Sequence, residues 1–148
     1  MKNAKLLYVV AAGCYAVDFL LPILLDLFMV FDDNLVKSMC FTFYSMFYFY
    51  GRVSENVDSP MISVLSALIM GILIILMIIS AVFIIVKNKN CFLLPSFILL
   101  CTTAMHIYLI FTDGLLPAYA WIGFLFKILC LGVYVFAHLK MQNKQMRS

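Results

Sequence analysis

The sequence predicts an all-α membrane protein: one domain of residues 1–148 built as a bundle of four transmembrane helices, with both termini in the cytoplasm. Composition, four long apolar runs and the distribution of basic residues lead to this prediction. Hydrophobic residues make up 66% of the chain and charged residues 11%, against about 45–50% and 25% in a typical soluble domain. Because a soluble fold of this length could not bury so much apolar surface, we expect a lipid bilayer to surround most of it.

The four apolar runs cover residues 6–31, 61–86, 91–111 and 115–138. Each is longer than the roughly 18–20 residues that a helix needs to cross a hydrocarbon core of about 30 Å. None alternates with a period of two as the strands of a membrane barrel do, and an open strand would leave its backbone groups unpaired in lipid. The runs are therefore expected to be helices.

Basic residues are concentrated in alternate connections between these runs. They occupy the N-terminal end, the connection after the second run and the C-terminal tail: Lys2, Lys5, Lys87, Lys89, Lys140, Lys144 and Arg147. The connection 32–60 has more acidic than basic residues. Because basic segments stay in the cytoplasm, this pattern predicts cytoplasmic termini and an external connection 32–60. The compact chain, without an obvious retention signal, favours a bacterial inner membrane.

The connection 32–60 contains an unusually aromatic segment, residues 39–51. The aromatic candidates for an interfacial or partner-docking role are Phe41, Phe43, Tyr44, Phe47, Tyr48 and Tyr50. As a helix this segment would be only about 20 Å long, too short to span. It therefore predicts an interfacial segment, with hydroxyl groups in water and apolar rings at the acyl boundary. A partner-docking surface and a re-entrant or spanning segment are the alternatives.

Asp18 and Lys127 are the oppositely charged residues near the middle of the first and fourth runs. A charge at that depth costs about 2.5–3.5 kcal/mol on insertion scales, so it usually faces the interior and has a partner. We therefore expect Asp18 and Lys127 to approach each other. The pair is interpreted either as a structural clamp or as part of a path for an ion, a proton or a small molecule.

A second polar group is expected nearer the outer side. Asp26 and His106 both lie near the outer ends of their runs, and His106 shares a helical stripe with Thr102 and Thr103. The acidic face of the first helix and this stripe could enclose a polar cavity that opens outward. Histidine titrates near neutral pH, which suits a proton or ion path, although interfacial water could also satisfy these groups.

Small residues recur every fourth position at the start of the second run. They are Ser59, Ser63, Ala67 and Gly71. This spacing is typical of a helix face that another backbone approaches closely. The face is expected to pack within the bundle or against a second protein.

Motifs of enzymes and metal sites are missing from the sequence. The five cysteines form no C-x-x-C pair, and no His/Glu metal motif, phosphate-binding glycine loop or serine nucleophile elbow occurs. The net charge of +3 without a large basic patch excludes a nucleic-acid footprint. We therefore expect no cofactor and no metal, and the balance is against an enzyme.

Two functions remain as hypotheses. The first is a non-enzymatic accessory or interaction subunit that docks a larger membrane protein. The alternative is a small oligomeric carrier or channel-like protein that uses Asp18 with Lys127 and Asp26 with His106. The expected partners are the bilayer and either another membrane protein or further copies of this chain.

The predicted orientation can be tested with reporter fusions. A fluorescent protein fused after Ser148 should be bright and a periplasmic phosphatase at the same position inactive, because the basic tail stays inside. The phosphatase fused after Asn56 should be active, and fused after Asn90 it should be inactive. The reverse activities would show that the orientation is wrong.

Overall fold

The computed structural model describes residues 2–27, 39, 41–56, 59–112 and 117–145, and within these ranges the chain is helical apart from short turns. The helices are α1 (Lys2–Leu27), α2 (Thr42–Asn56), α3 (Pro60–Val86), α4 (Leu93–Thr112) and α5 (Pro117–Gln145). The predicted all-α class is confirmed.

Four of these helices are long and apolar enough to cross a membrane, as expected for an integral membrane protein. The candidate spans are Lys5–Leu24, Pro60–Val86, Leu93–Thr112 and Ala118–Gln142. The last helix continues to Gln145, beyond the predicted end at residue 138. Lys140 and the glutamines beyond it are good helix formers, so the helix extends beyond its apolar run. Residues 28–31 of the first predicted run lie outside the described residues.

The connection between α3 and α4 is tight. Lys87 ends α3 in the left-handed conformation, with φ 56° and ψ 41°. The backbone N–H of Asn88 donates to the carbonyl of Phe83 at 3.0 Å, which satisfies a carbonyl at the end of the helix. Because the chain turns within a few residues, α3 and α4 are antiparallel neighbours.

The aromatic segment forms most of α2, and the beginning of this helix lies inside the bundle. Thr42, Ser45 and Met46 are buried, and α2 contacts α1, α3 and α4. Met46 shares an apolar cluster with Leu73 and Met77 of α3. α2 therefore packs back along α3 as a helical hairpin. The interfacial position in the bilayer that the sequence predicts for residues 39–51 stays a prediction.

A second apolar cluster joins α1, α5 and the connection between α3 and α4. The rings of Phe92 and Tyr134 stack with centroids 6.0 Å apart and planes 13° apart. The hydroxyl of Tyr8 donates to the carbonyl of Ile84, which ties α1 to the end of α3. This cluster packs the first and last helices of the chain, α1 and α5, against each other.

The chain enters α2 by crossing α5 at Gly123. A Cβ atom at this glycine would lie 1.9 Å from the carbonyl oxygen of Met39 and 2.8 Å from its carbonyl carbon. Only glycine leaves room for such an approach. One turn along α5, the ring of Phe126 packs edge-on against Phe41 at 5.9 Å. These contacts position Thr42 at the beginning of α2.

We expect Gly123→Ala to destabilise the protein by about 1–3 kcal/mol, as overpacking in a filled interior does. The new methyl group would push Met39 away from α5. Gly132→Ala is the matched control on the same helix, because a Cβ there meets no atom within 4 Å. Thermal unfolding in detergent should show a lower Tm for Gly123→Ala and no loss for Gly132→Ala. Equal Tm values would contradict the close crossing.

Candidate functional site

A cluster of polar side chains lies in the apolar interior, drawn from four helices. Its members are Asp18 of α1, Thr42 and Ser45 of α2, Thr102 of α4 and Lys127 of α5. Asp18 is 6% exposed and Lys127 1%, and the three hydroxyl residues are equally buried. Buried charges in proteins are paired or strongly hydrogen-bonded, so the bonds within the cluster decide what it can do.

Asp18 caps the N-terminal end of α2. The backbone N–H of Thr42 donates to Oδ1 of Asp18 at 3.1 Å, and the Thr42 hydroxyl donates to Oδ2 at 2.5 Å. The first N–H groups of a helix have no partner within it, and they carry the positive end of the helix dipole. A carboxylate from α1 therefore supplies what the first turn of α2 lacks.

Lys127 holds α2 and α4 from the other side of the cluster. Its Nζ donates to the Ser45 hydroxyl at 2.5 Å and to the backbone carbonyl of Thr102 at 3.2 Å. The carbonyl can accept this second bond because it has two lone pairs. The hydroxyl oxygens of Thr42 and Thr102 lie 3.5 Å apart and connect the two halves.

Asp18 and Lys127 thus belong to one cluster. Three hydroxyl residues link them, and a direct ion pair between the two stays a prediction. Desolvation of two charges is expensive, and additional hydrogen bonds to both are what make burial tolerable. The cluster provides such bonds to each charge.

His106 lies on α4 one turn beyond Thr102. Its side chain is fully buried, and its ring packs edge-on against Phe124 at 6.3 Å. Neither ring nitrogen has a hydrogen-bond partner among the described residues. His106 is therefore an unsatisfied titratable group at the edge of the cluster.

Thr103 and Asp26 are the other residues of the polar group that the sequence predicts near the outer side. The Thr103 hydroxyl donates to the carbonyl of Leu99 at 2.6 Å, so it is satisfied within α4. Asp26 falls on α1, but its side chain lies outside the described residues. The predicted pairing of Asp26 with His106 therefore stays a prediction.

The small residues of α3 lie beside its buried face. Ser59, Ser63, Ala67 and Gly71 are half-buried, and a Cβ at Gly71 would meet no atom within 4 Å. The buried residues of α3 are Ser66, Leu73, Met77, Ser80 and Ile84. Within the described chain no other helix approaches Gly71 closely, and the packing role of the small residues stays a prediction.

The outer face of α2 lines a groove of about 640 Å³. The residues around it are Phe43, Tyr44, Phe47, Tyr48, Gly51, Arg52 and Glu55. Neighbouring rings pack along this face, with the centroids of Phe43 and Phe47 4.6 Å apart. Of the other aromatic candidates, Phe41 is buried and Tyr50 half-buried. The groove combines apolar rings with hydroxyl groups and one ion pair, Arg52 with Glu55 at 3.4 Å.

Several cysteines and other candidate ligand side chains lie among the described residues. These residues contain no group of three or more His, Cys, Asp or Glu that could hold a metal ion. Cys14, Cys91, Cys101 and Cys130 are free thiols. Burial raises the pKa of Cys91, which lies in the connection between α3 and α4, so it stays a neutral thiol and a poor nucleophile near neutral pH.

Thr42, Ser45 and Tyr134 belong to the site or border it, but the sequence did not single them out. Thr42 and Ser45 are three residues apart, which puts them on one helical face of an otherwise aromatic segment. That spacing was the available signal. Tyr134 lies in an apolar run, where nothing distinguishes a buried hydroxyl from one that reaches the interface.

Comparison with known proteins gives no match: no protein-family model, no curated protein and no solved structure resembles this chain.

The coupling between Asp18 and Lys127 can be measured by substitution. Asp18→Asn or Lys127→Met alone should cost about 3–5 kcal/mol, because each leaves the other charge buried and uncompensated. The double variant should lose clearly less than the sum. Lys140→Met, at an exposed position near the end of α5, is the control and should have little effect. Additive losses in denaturant unfolding would show that the two charges are not coupled.

Proposed function

We propose that the protein is a non-enzymatic accessory subunit of a larger membrane assembly and that the outer face of α2 docks its partner. The proposal rests on one observation: the two faces of α2 differ in chemistry. The inner face is bound to buried charges through Thr42 and Ser45. The opposite face lines the aromatic groove.

A helix that is fixed in this way suits recognition. Binding costs less when the docking element is already ordered, and three bonds to Asp18 and Lys127 hold the first turns of α2. Aromatic and arginine side chains are enriched at the centres of protein interfaces. The groove contains four aromatic rings and Arg52. A partner membrane protein is therefore a better match to this face than a free solute.

The proposal includes a position for α2 in the membrane. Thr102 lies at the middle of the span Leu93–Thr112, and Thr42 of α2 contacts it. α2 would then begin near the middle of the bilayer and run outward, so that its aromatic rings and Arg52 reach the outer interface. With both termini in the cytoplasm of a bacterial cell, the groove would face the outer side of the inner membrane.

The size of the internal space supports an accessory role over solute transport. The cavity that touches Asp18 leaves about 10 Å³ for the centre of a water molecule, which is room for about one water. An amino acid or a sugar does not fit there. The charges of the cluster are bound to hydroxyl and backbone groups instead.

A small oligomeric carrier or channel-like protein is the second candidate. The convergence of Asp18, Lys127 and an unsatisfied His106 in one buried region favours it, because ionisable groups inside membranes mark ion and proton pathways. The two candidates predict different ion transport when the purified protein is reconstituted into lipid vesicles. An accessory subunit transports no ion in these vesicles, whereas a carrier or channel moves its ion without a partner.

Site-specific crosslinking tests the accessory role. A photoreactive phenylalanine analogue at position 47, where the native ring is 43% exposed, should form a discrete adduct with one foreign membrane protein that also co-purifies with the unmodified chain. The same analogue at position 136, a 55% exposed phenylalanine on α5, is the control and should not form it. Asp18→Asn should weaken the adduct, because α2 loses the charge that caps it.

Adducts with lipid alone at both positions would contradict the accessory proposal. An adduct only with a second copy of the chain would replace the foreign partner with a homo-oligomer.

A further inference from the structure

A small internal cavity lies beside the polar cluster, on the side away from His106. Asp18, Thr42, Tyr15 and Tyr134 line it together with apolar residues of α1, α3 and α4. It leaves about 10 Å³ for the centre of a water molecule, and a buried water needs about this space and two to four polar partners. The cavity therefore has the size of a single water site.

The polar groups around the cavity are suited to one water. Tyr134 is 1% exposed, and its hydroxyl has no hydrogen-bond partner among the described residues. Tyr15 is already satisfied, because its hydroxyl donates to the carbonyl of Met77 at 2.5 Å. The carboxylate of Asp18 accepts two bonds from Thr42, and a carboxylate has about four acceptor positions. A water can therefore accept from Tyr134 and donate to Asp18.

Titratable groups continue from Tyr134 along the same face of α5. His138 follows Tyr134 by four residues, which is about 6 Å along the helix axis. Its Nδ1 is buried without a partner among the described residues. One further turn leads to Gln142, which is exposed at the end of the span. This face connects the cavity to the end of the bundle.

We propose that a water molecule bound between Tyr134 and Asp18 completes a proton route through the bundle. The route runs from His138 through Tyr134, the water and Asp18 to Lys127 and His106. The proposal rests on the second candidate function and narrows its ion to the proton. The cavity admits nothing larger than water, and the groups on both sides of it are donors and acceptors of protons.

The transfer balances as a relay of O–H and N–H bonds. Tyr134 gives its hydroxyl proton to the water as the water gives one of its own to a carboxylate oxygen of Asp18. Tyr134 regains a proton from His138. On the other side Lys127 gives a proton to His106 and takes up the one held by Asp18, and its flexible side chain must leave Ser45 and the Thr102 carbonyl to reach them. One proton thereby crosses the cluster, and every group returns to its starting state once His106 releases its proton and His138 takes up another from water at the end of the bundle.

Proton flux into vesicles tests the route. The purified full chain is reconstituted into phospholipid vesicles that contain a pH-sensitive dye, and a potassium gradient with valinomycin drives protons inward. The wild-type protein should acidify the vesicles faster than protein-free vesicles. Tyr134→Phe keeps the ring stacked on Phe92 but removes the hydroxyl. It should lower the flux by about 100-fold or more, the scale of a positioned proton-transfer group.

Tyr108→Phe is the matched control, because that tyrosine is 38% exposed on the surface of α4 and packs against Phe49. It should conduct like the wild type. Elution volume and circular dichroism establish that each variant is folded. Asp18→Asn should also stop the flux. If this variant does not fold, the flux of Tyr134→Phe alone decides the test.

Two outcomes would overturn the proposal, and they are distinguishable. A wild-type flux no faster than that of empty vesicles removes both the proton route and the channel-like function. Normal flux in folded Tyr134→Phe, with a loss in Asp18→Asn, removes the water-bridged route and leaves another path through the polar cluster. The accessory function is tested separately by crosslinking at position 47.

Discussion

The contact between the carboxylate of Asp18 and the first turn of α2 organises the rest of this structure. It satisfies two needs at once, since a buried carboxylate requires donors and the first turn of a buried helix requires acceptors. Thr42 meets both through its backbone N–H and its hydroxyl. The position of α2 then follows, and with it the hairpin with α3, the bond from Lys127 to Ser45 and the orientation of the aromatic groove.

The fold was predictable to the extent that lipid imposes it. A long apolar run in a bilayer is expected to form a helix, so four helices long enough to span could be inferred from length and composition. The connection 32–60 could not be inferred in this way. Its aromatic residues are compatible with an interface, a docking surface or a buried helix. The choice depends on Gly123 and Asp18, which are distant in sequence and come together only in the folded chain.

The candidate site was predictable in part for the same reason. The cost of a charge in lipid identified Asp18 and Lys127, and both are buried in one hydrogen-bonded cluster of the structure. The hydroxyl groups that connect them could not be identified, because serine and threonine are inexpensive at any depth and often bond to their own helix, as Ser80 does to Leu76. The role of Thr42 and Ser45 is a property of the packing between helices.

The bonds of Lys127 also have a consequence for biosynthesis. A ribosome completes α1 to α4 before Lys127 emerges, so until then Asp18 and Ser45 have no cation from α5 beside them. The last helix supplies the charge that balances the interior and bonds to both α2 and α4. The balance of charge in the interior therefore depends on α5. A chain that ended before α5 would keep the carboxylate of Asp18 without the cation of its cluster.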